Sequence, residues 1–152
     1  VFVGPGPNDF LARNVDEATI KGLELGYDWN ITTGWRFSAN LTLQDAHNDT
    51  QDTELVRRPD HKAALSITRA FTNGGSFYTE LLLSGERTDV GDVRLPGYGV
   101  VNVSLQYPLM KSLFAEARLE NLLDKDYELA YGFNTSGRAG YIGLRYAPNL
   151  SE

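Results

Sequence analysis

The chain has 152 residues, 41% of them apolar, enough for one domain with a modest core. Its formal net charge of -6 and the lack of any basic run argue against a surface built to bind nucleic-acid phosphates, which needs clustered Lys and Arg. With no cysteine there is no disulfide framework, thiolate nucleophile or Cys-based zinc site, and no apolar run reaches the roughly 18 residues of a spanning helix. The opening Val1-Phe2-Val3-Gly4-Pro5-Gly6-Pro7 has no initiator Met and no signal peptide, and reads as the start of a piece whose upstream part has been removed.

Apolar residues recur at period two in segments about ten residues long, separated by clusters of Gly, Asn, Asp and Pro, which predicts seven β-strands. The first runs from Ala18 to Ile31, with Leu23, Leu25, Tyr27 and Trp29 on one face and Gly22, Glu24, Gly26 and Asp28 on the other. After a turn at Thr32 to Gly34, the second sets Trp35, Phe37, Ala39, Leu41 and Leu43 against Arg36, Ser38, Asn40, Thr42 and Gln44. A polar stretch, Asn48 to Asp60, leads to a third strand with Ala63, Leu65, Ile67 and Phe71 on its apolar face; Arg69 breaks the pattern.

The Thr72-Asn73-Gly74-Gly75-Ser76 turn feeds a fourth strand, where Phe77, Thr79, Leu81 and Leu83 oppose Tyr78, Glu80, Leu82, Ser84 and Glu86; Thr79 and Leu82 blur the contrast. The fifth carries Val101, Val103, Leu105 and Tyr107 against Asn102, Ser104 and Gln106. Beyond Pro108 to Ser112, the sixth sets Leu113, Ala115, Ala117 and Leu119 against Phe114, Glu116, Arg118 and Glu120. A loop from Leu122 to Arg138 precedes the last strand, Ala139 to Ala147, with Ile142, Leu144 and Tyr146 opposite Tyr141, Gly143 and Arg145.

Connections alternate short and long, the asymmetry of a membrane barrel with tight periplasmic turns and large outer loops. Tyr27, Trp29, Trp35, Phe37, Phe71, Phe77, Tyr107 and Tyr146 all fall near a short turn or the C-terminus on the apolar face, as an interfacial aromatic girdle should. The same alternation also fits a soluble or cell-surface β-sandwich that binds a partner through its loops. Strands near ten residues suit a tilted spanning strand better than the usual soluble strand of about 5 or 6.

In a barrel, the polar side chains Glu24, Arg36, Asn40, Gln44, Glu80, Glu116, Arg118, Glu120 and Arg145 would face the lumen, because a basic group turned to lipid near the midplane costs about 2 to 4 kcal/mol. No catalytic constellation is present: His47 and His61 stand alone and no Ser sits in a nucleophile elbow. Nothing calls for a cofactor or a metal. The stretch Asn48-Asp49-Thr50-Gln51-Asp52-Thr53-Glu54 has the oxygen donors calcium takes, yet lacks EF-hand spacing and reads as a solvated loop.

Asn121-Leu122-Leu123-Asp124-Lys125-Asp126-Tyr127-Glu128, followed by Tyr131-Gly132-Phe133 and Gly137-Arg138, resembles the C-terminal signature of TonB-dependent receptors. Asn14-Val15-Asp16 leading to Ile20-Lys21-Gly22-Leu23-Glu24, and Leu95-Pro96-Gly97-Tyr98, match the same family in order. The resemblance implies the last part of a 22-stranded barrel, with an N-terminal plug and the earlier strands outside this chain. It implies an outer-membrane location among lipid, coupling through TonB in the parent protein, and a large scarce nutrient as ligand. The spacing from Tyr127 to Arg138 is most similar to the vitamin B12 branch, with siderophore receptors close behind.

The resemblance also implies that Asp124 and Arg138 order the last loop, with Gly132 and Gly137 expected to supply turns at positive φ. Two departures stand out: Leu123 replaces the usual Phe, and the chain continues past Tyr146 through Ala147-Pro148-Asn149-Leu150-Ser151-Glu152, where family members finish on an aromatic.

Overall fold

The computed structural model describes residues 17–148 and, as backbone alone, two short strands, Phe2–Val3 and Leu11–Ala12, which pair with each other. Asn14, Val15 and Asp16, which carry part of the resemblance, lie outside the described residues, as do Val1, the Gly4–Pro7 run and the tail from Asn149. Seven long strands are present: β1 (Ala18–Thr32), β2 (Trp35–Asn48), β3 (His61–Ala70), β4 (Ser76–Ser84), β5 (Tyr98–Met110), β6 (Leu113–Glu120) and β7 (Ala139–Tyr146). Each pairs antiparallel with its neighbour in chain order, forming one meander.

Boundaries differ from expectation where a partner strand decides them. β2 continues beyond Gln44 because Asp45, Ala46, His47 and Asn48 pair with Lys21, Ile20, Thr19 and Ala18 of β1, and Thr53–Glu54 folds back to close the end. β5 opens at Tyr98, the last residue of the Leu95-Pro96-Gly97-Tyr98 segment, and runs on through Pro108. A proline is tolerated there because the β4 ladder stops at Gln106↔Ser76 and the register against β6 shifts between Pro108 and Met110. β3 ends at Ala70 and β4 at Ser84, so Phe71 belongs to a turn and Glu86 to a connection, not to strand faces. The Phe71 amide instead donates to the Gly75 carbonyl at 2.8 Å, closing the β3–β4 turn.

Register carries each face unbroken across the sheet. Trp29, Phe37, Ile67, Thr79, Val103 and Leu119 are successive partners on one side. Thr79 fits this row because its hydroxyl donates to the Asn102 carbonyl at 3.1 Å, so its polar group is satisfied by the neighbouring strand. Leu82 fits the opposite side because Ala64 and Val100 flank it, making a small apolar island among polar neighbours.

The sandwich reading requires a second layer over Leu23, Leu25, Leu41 and Leu43. Among the described residues none exists: Leu23, Leu25 and Leu43 are 52%, 53% and 42% exposed. The buried apolar residues are Ala46, Leu95 and Val100, all at the end of the sheet that carries the long connections. Order in the sheet therefore rests on its ladders, and among the described residues the packed interior sits beneath the loops.

Candidate functional site

Asn121 follows β6 in a left-handed conformation, φ 48°, which Asn tolerates better than most residues. Buried, it knits the last connection together: its Oδ1 accepts from the Lys125 amide at 2.8 Å, its Nδ2 donates to the Lys125 carbonyl at 2.9 Å, and its carbonyl accepts from the Asp124 amide at 2.8 Å. Asp124, also left-handed at φ 55°, accepts the Arg138 amide at 2.7 Å and holds the Arg138 guanidinium 3.6 Å away. Leu122 extends the β5 ladder through its amide, 2.8 Å from the Val101 carbonyl. Lys125 contributes its backbone, whereas Tyr127 stacks on Tyr98 with ring centroids 4.3 Å apart and accepts the Thr135 hydroxyl at 2.7 Å.

Gly132 has the expected positive φ, 78°. Gly137 does not, and the expectation for it is corrected: a Cβ there would lie 3.0 Å from the Asp124 Oδ1, so glycine favours this position through close approach rather than handedness. The left-handed turns belong instead to Asn121 and Asp124 themselves.

The signature is wired to the polar face of the sheet. The Asn121 amide donates to Asn102 Oδ1 at 3.0 Å, Asn102 Nδ2 donates to Glu80 at 3.0 Å, and the Tyr78 hydroxyl donates to the same carboxylate at 2.9 Å. The other polar candidates share this face but form separate pairs. Arg145 meets Glu116 at 2.6 Å and Arg118 meets Glu120 at 3.3 Å, while Arg36 donates to Asn30 at 3.3 Å and Gln44 to the Pro59 carbonyl at 2.9 Å. Asn40 opposes Gly26, and Glu24 opposes Thr42. Of the aromatic candidates, Tyr27, Trp29, Trp35, Phe37, Phe77, Tyr107 and Tyr146 share the opposite, apolar face, with Phe71 in the adjoining turn.

A second cluster, absent from the sequence reading, ties all three long connections together. A hairpin of Arg87–Asp89 and Val93–Leu95 places the Asp89 side chain in complete burial. Its Oδ1 accepts from Arg57 Nε and from the Val90 amide, each at 2.7 Å, and its Oδ2 accepts from the Tyr131 amide at 2.5 Å. Burial alone would raise the Asp89 pKa, but the Tyr131 and Val90 amides and the Arg57 cation outweigh it and hold the carboxyl below its ordinary range. Beside it, Arg87 is buried, donates to the Glu128 carbonyl and lies 5.5 Å from the Tyr98 ring centroid. The Gly91-Asp92 pair, both at positive φ, is the hairpin signal from which this strand pair could have been placed.

A cleft of about 680 Å³ opens between the first two long connections, bordered by Gln51, Glu54, Arg58, Thr88, Asp92 and Arg94. The acidic run beside it has its groups already partnered by protein: Asn48 Oδ1 accepts from the Thr50 and Gln51 amides, Asp49 accepts from Thr19 of β1, Asp52 meets His47 of β2 at 3.0 Å, and Glu54 accepts from Thr88 at 2.7 Å. Among the described residues no three His, Asp or Glu side chains gather as metal ligands.

Residues 1–122 match the family described as TonB dependent receptor-like, beta-barrel. Vitamin B12 transporter BtuB of Vibrio cholerae serotype O1 is 29% identical over 144 residues, 87% of this chain and 22% of that protein. The siderophore receptor PiuA from Acinetobacter baumannii superposes with a TM-score of 0.75 at 21% identity, over 95% of this chain and 24% of that one. FpvA from Pseudomonas aeruginosa PAO1, bound to pyoverdine, gives 0.71 at 18% identity, over 85% and 21%. The chain thus spans about a fifth of the curated relative's length, 22%. Members of the matched family are outer-membrane receptors and transporters of Gram-negative bacteria rather than enzymes. By its seven-strand meander and the match over residues 1–122, the chain belongs to the TonB-dependent receptor-like β-barrel family.

Proposed function

We propose that this chain forms the closing seven strands of a 22-stranded outer-membrane barrel whose earlier strands and plug lie upstream in the parent protein. The apolar face meets hydrocarbon, with Tyr27, Trp29, Trp35, Phe37, Phe77, Tyr107 and Tyr146, and Phe71 in its turn, forming a girdle at the periplasmic interface. The polar face lines the lumen, where Glu24, Arg36, Asn40, Gln44, Glu80, Glu116, Arg118 and Glu120 find water and plug groups. The parent imports a scarce, large nutrient, a cobalamin-like compound or an iron-siderophore, with energy delivered through TonB. The long connections, held by Asp89 and Asn121, shape the outer mouth.

The observation that carries this reading is an apolar face that no described residue covers: strongly exposed Leu, Trp and Tyr side chains run the length of β1 and continue in register across the sheet. In water that surface would be far larger than a soluble monomer tolerates. Against hydrocarbon it is the stable arrangement.

The test is uptake by cells carrying or lacking the parent receptor, supplied with radiolabelled cyanocobalamin or with iron-55 bound to a hydroxamate or catecholate siderophore. Receptor-dependent entry of one of these, abolished when TonB is deleted, is expected. Entry that does not depend on TonB, or a receptor fractionating with soluble proteins, overturns the proposal.

A further inference from the structure

On the apolar face, five positions bear an ionisable Asp, Lys, Arg or His: Lys21, Asp45, His47, His61 and Arg69. Lys21 pairs in register with Asp45, and His47 meets Asp52, all at the end with the long connections. Arg69 stands apart at the opposite end, one residue before the close of β3 and beside the two short turns. Trp35 and Phe77 are its register partners on either side. No carboxylate lies within ion-pairing reach of it among the described residues.

The guanidinium is nonetheless fixed in place. Arg69 Nη1 donates to the Thr33 carbonyl at 3.0 Å, and its central carbon lies 5.1 Å from the centroid of the Trp35 ring. Room for it depends on Gly34, at φ 77°: a Cβ there would stand 3.1 Å from Nη1 and 2.6 Å from the Ala70 carbonyl. A cation is thus oriented with most of its donors unused, on a surface whose neighbours are aromatic rings. Such a group is stable where an anion of matching geometry is abundant and the adjoining surface is greasy.

We infer that Arg69, framed by Trp35 and Phe77 and seated over the Thr33–Gly34 turn, is a binding site for the phosphodiester headgroup of a phospholipid whose acyl chains lie along the apolar face. The inference rests on the proposal that this face meets hydrocarbon. Arg69 donates to phosphate oxygens through the N–H groups that Thr33 does not take, while Trp35 supplies a rigid wall at headgroup depth. The misfit in the alternation of β3 then has a reason: it marks where hydrocarbon gives way to headgroups.

The test uses the complete receptor released from lipid nanodiscs into native mass spectrometry. Dioleoyl-phosphatidylglycerol is compared with dioleoylglycerol, which has the same chains and no phosphate, and with inorganic phosphate. Retention of phosphatidylglycerol, with about fivefold less on Arg69→Gln and no difference between the two proteins for dioleoylglycerol, is expected. Equal phosphatidylglycerol retention by the variant, equal retention of both lipids by the unaltered receptor, or displacement of the lipid by equimolar inorganic phosphate overturns the inference. A fluorophore at Leu65, quenched by bromolipid, separates the two levels: quenching with no lipid specificity sinks only the headgroup site, and absence of quenching sinks the membrane reading as well.

Discussion

Replacing Asp89 with Ala removes one carboxylate from three donors at once. The Tyr131 and Val90 amides lose acceptors at 2.5 and 2.7 Å, and Arg57 loses its ion partner at 2.7 Å. Arg57 is half exposed and can rehydrate, so the larger share of the cost comes from the two amides and from the emptied pocket. Hydrogen bonds to a charged group contribute about 1.5 to 3 kcal/mol each, and breaking a buried pair from one side costs about 3 to 5 kcal/mol in total. With one partner able to reach water the lower end applies, roughly 3 kcal/mol, which lowers the protection of the Tyr131 amide about a hundredfold in hydrogen exchange. Asn in place of Asp keeps one acceptor and should lose about half of this. Because the folded Asp89 pKa is depressed, its stabilisation is complete above the ordinary carboxylate pKa near 3.9 and disappears as pH falls through the lower folded value. Protection factors of peptides covering 85–97 and 126–134, taken relative to the intrinsic exchange rate at each pH, should therefore hold constant from neutral pH to about 5, then fall in acid for the unaltered protein and not for Asp89→Asn. Unchanged protection at Tyr131 in the Ala variant would refute the claim that this carboxylate ties the connections.

Asn121→Ala should cost about 3 to 4 kcal/mol in urea unfolding of the assembled receptor, combining the left-handed backbone with the lost bonds to Lys125; Asn121→Gly should recover about 1 kcal/mol of that by relieving φ alone. Gly137→Ala and Gly132→Ala should each cost about 1 kcal/mol by different routes. The first crowds Asp124 Oδ1 and frees the Arg138 amide to exchange, whereas the second meets open space at φ 78° and leaves that amide protected. Leu65→Arg, in mid-strand on the apolar face, should lower barrel stability by about 2 to 4 kcal/mol, while Ser66→Arg, one residue on and facing the other way, should stay within about 0.5 kcal/mol. Equal effects at these two neighbours would remove the basis for assigning the faces.

The seven strands were legible because period-two alternation is a local property: Leu23, Leu25, Tyr27 and Trp29 declare their face without reference to any partner. Strand ends were less so, since β2 reaches Asn48 only because β1 starts at Ala18, and Pro108 is admitted only because the β4 ladder has already stopped. At the signature, residue identity places one left-handed turn correctly, at Gly132, and one wrongly, at Gly137. Asn121 and Asp124 carry the positive φ that was expected of Gly137, because Asn and Asp can adopt it and hydrogen bonds fifteen residues apart, such as Asn121 to Ser136, decide whether they do.

Asp89 was invisible for a deeper reason. Its partners are 32 and 42 residues away, and neither alternation nor composition encodes a pairing between connections. Among the described residues the meander has both faces open and no hydrophobic interior from which its loops could hang, and the three buried apolar residues there are too few to order three long polar connections. That duty falls to groups that a hydrophobicity reading discards: a buried carboxylate, a buried guanidinium and an asparagine. In such a protein the apolar pattern specifies the wall, and the polar residues outside that pattern specify the mouth.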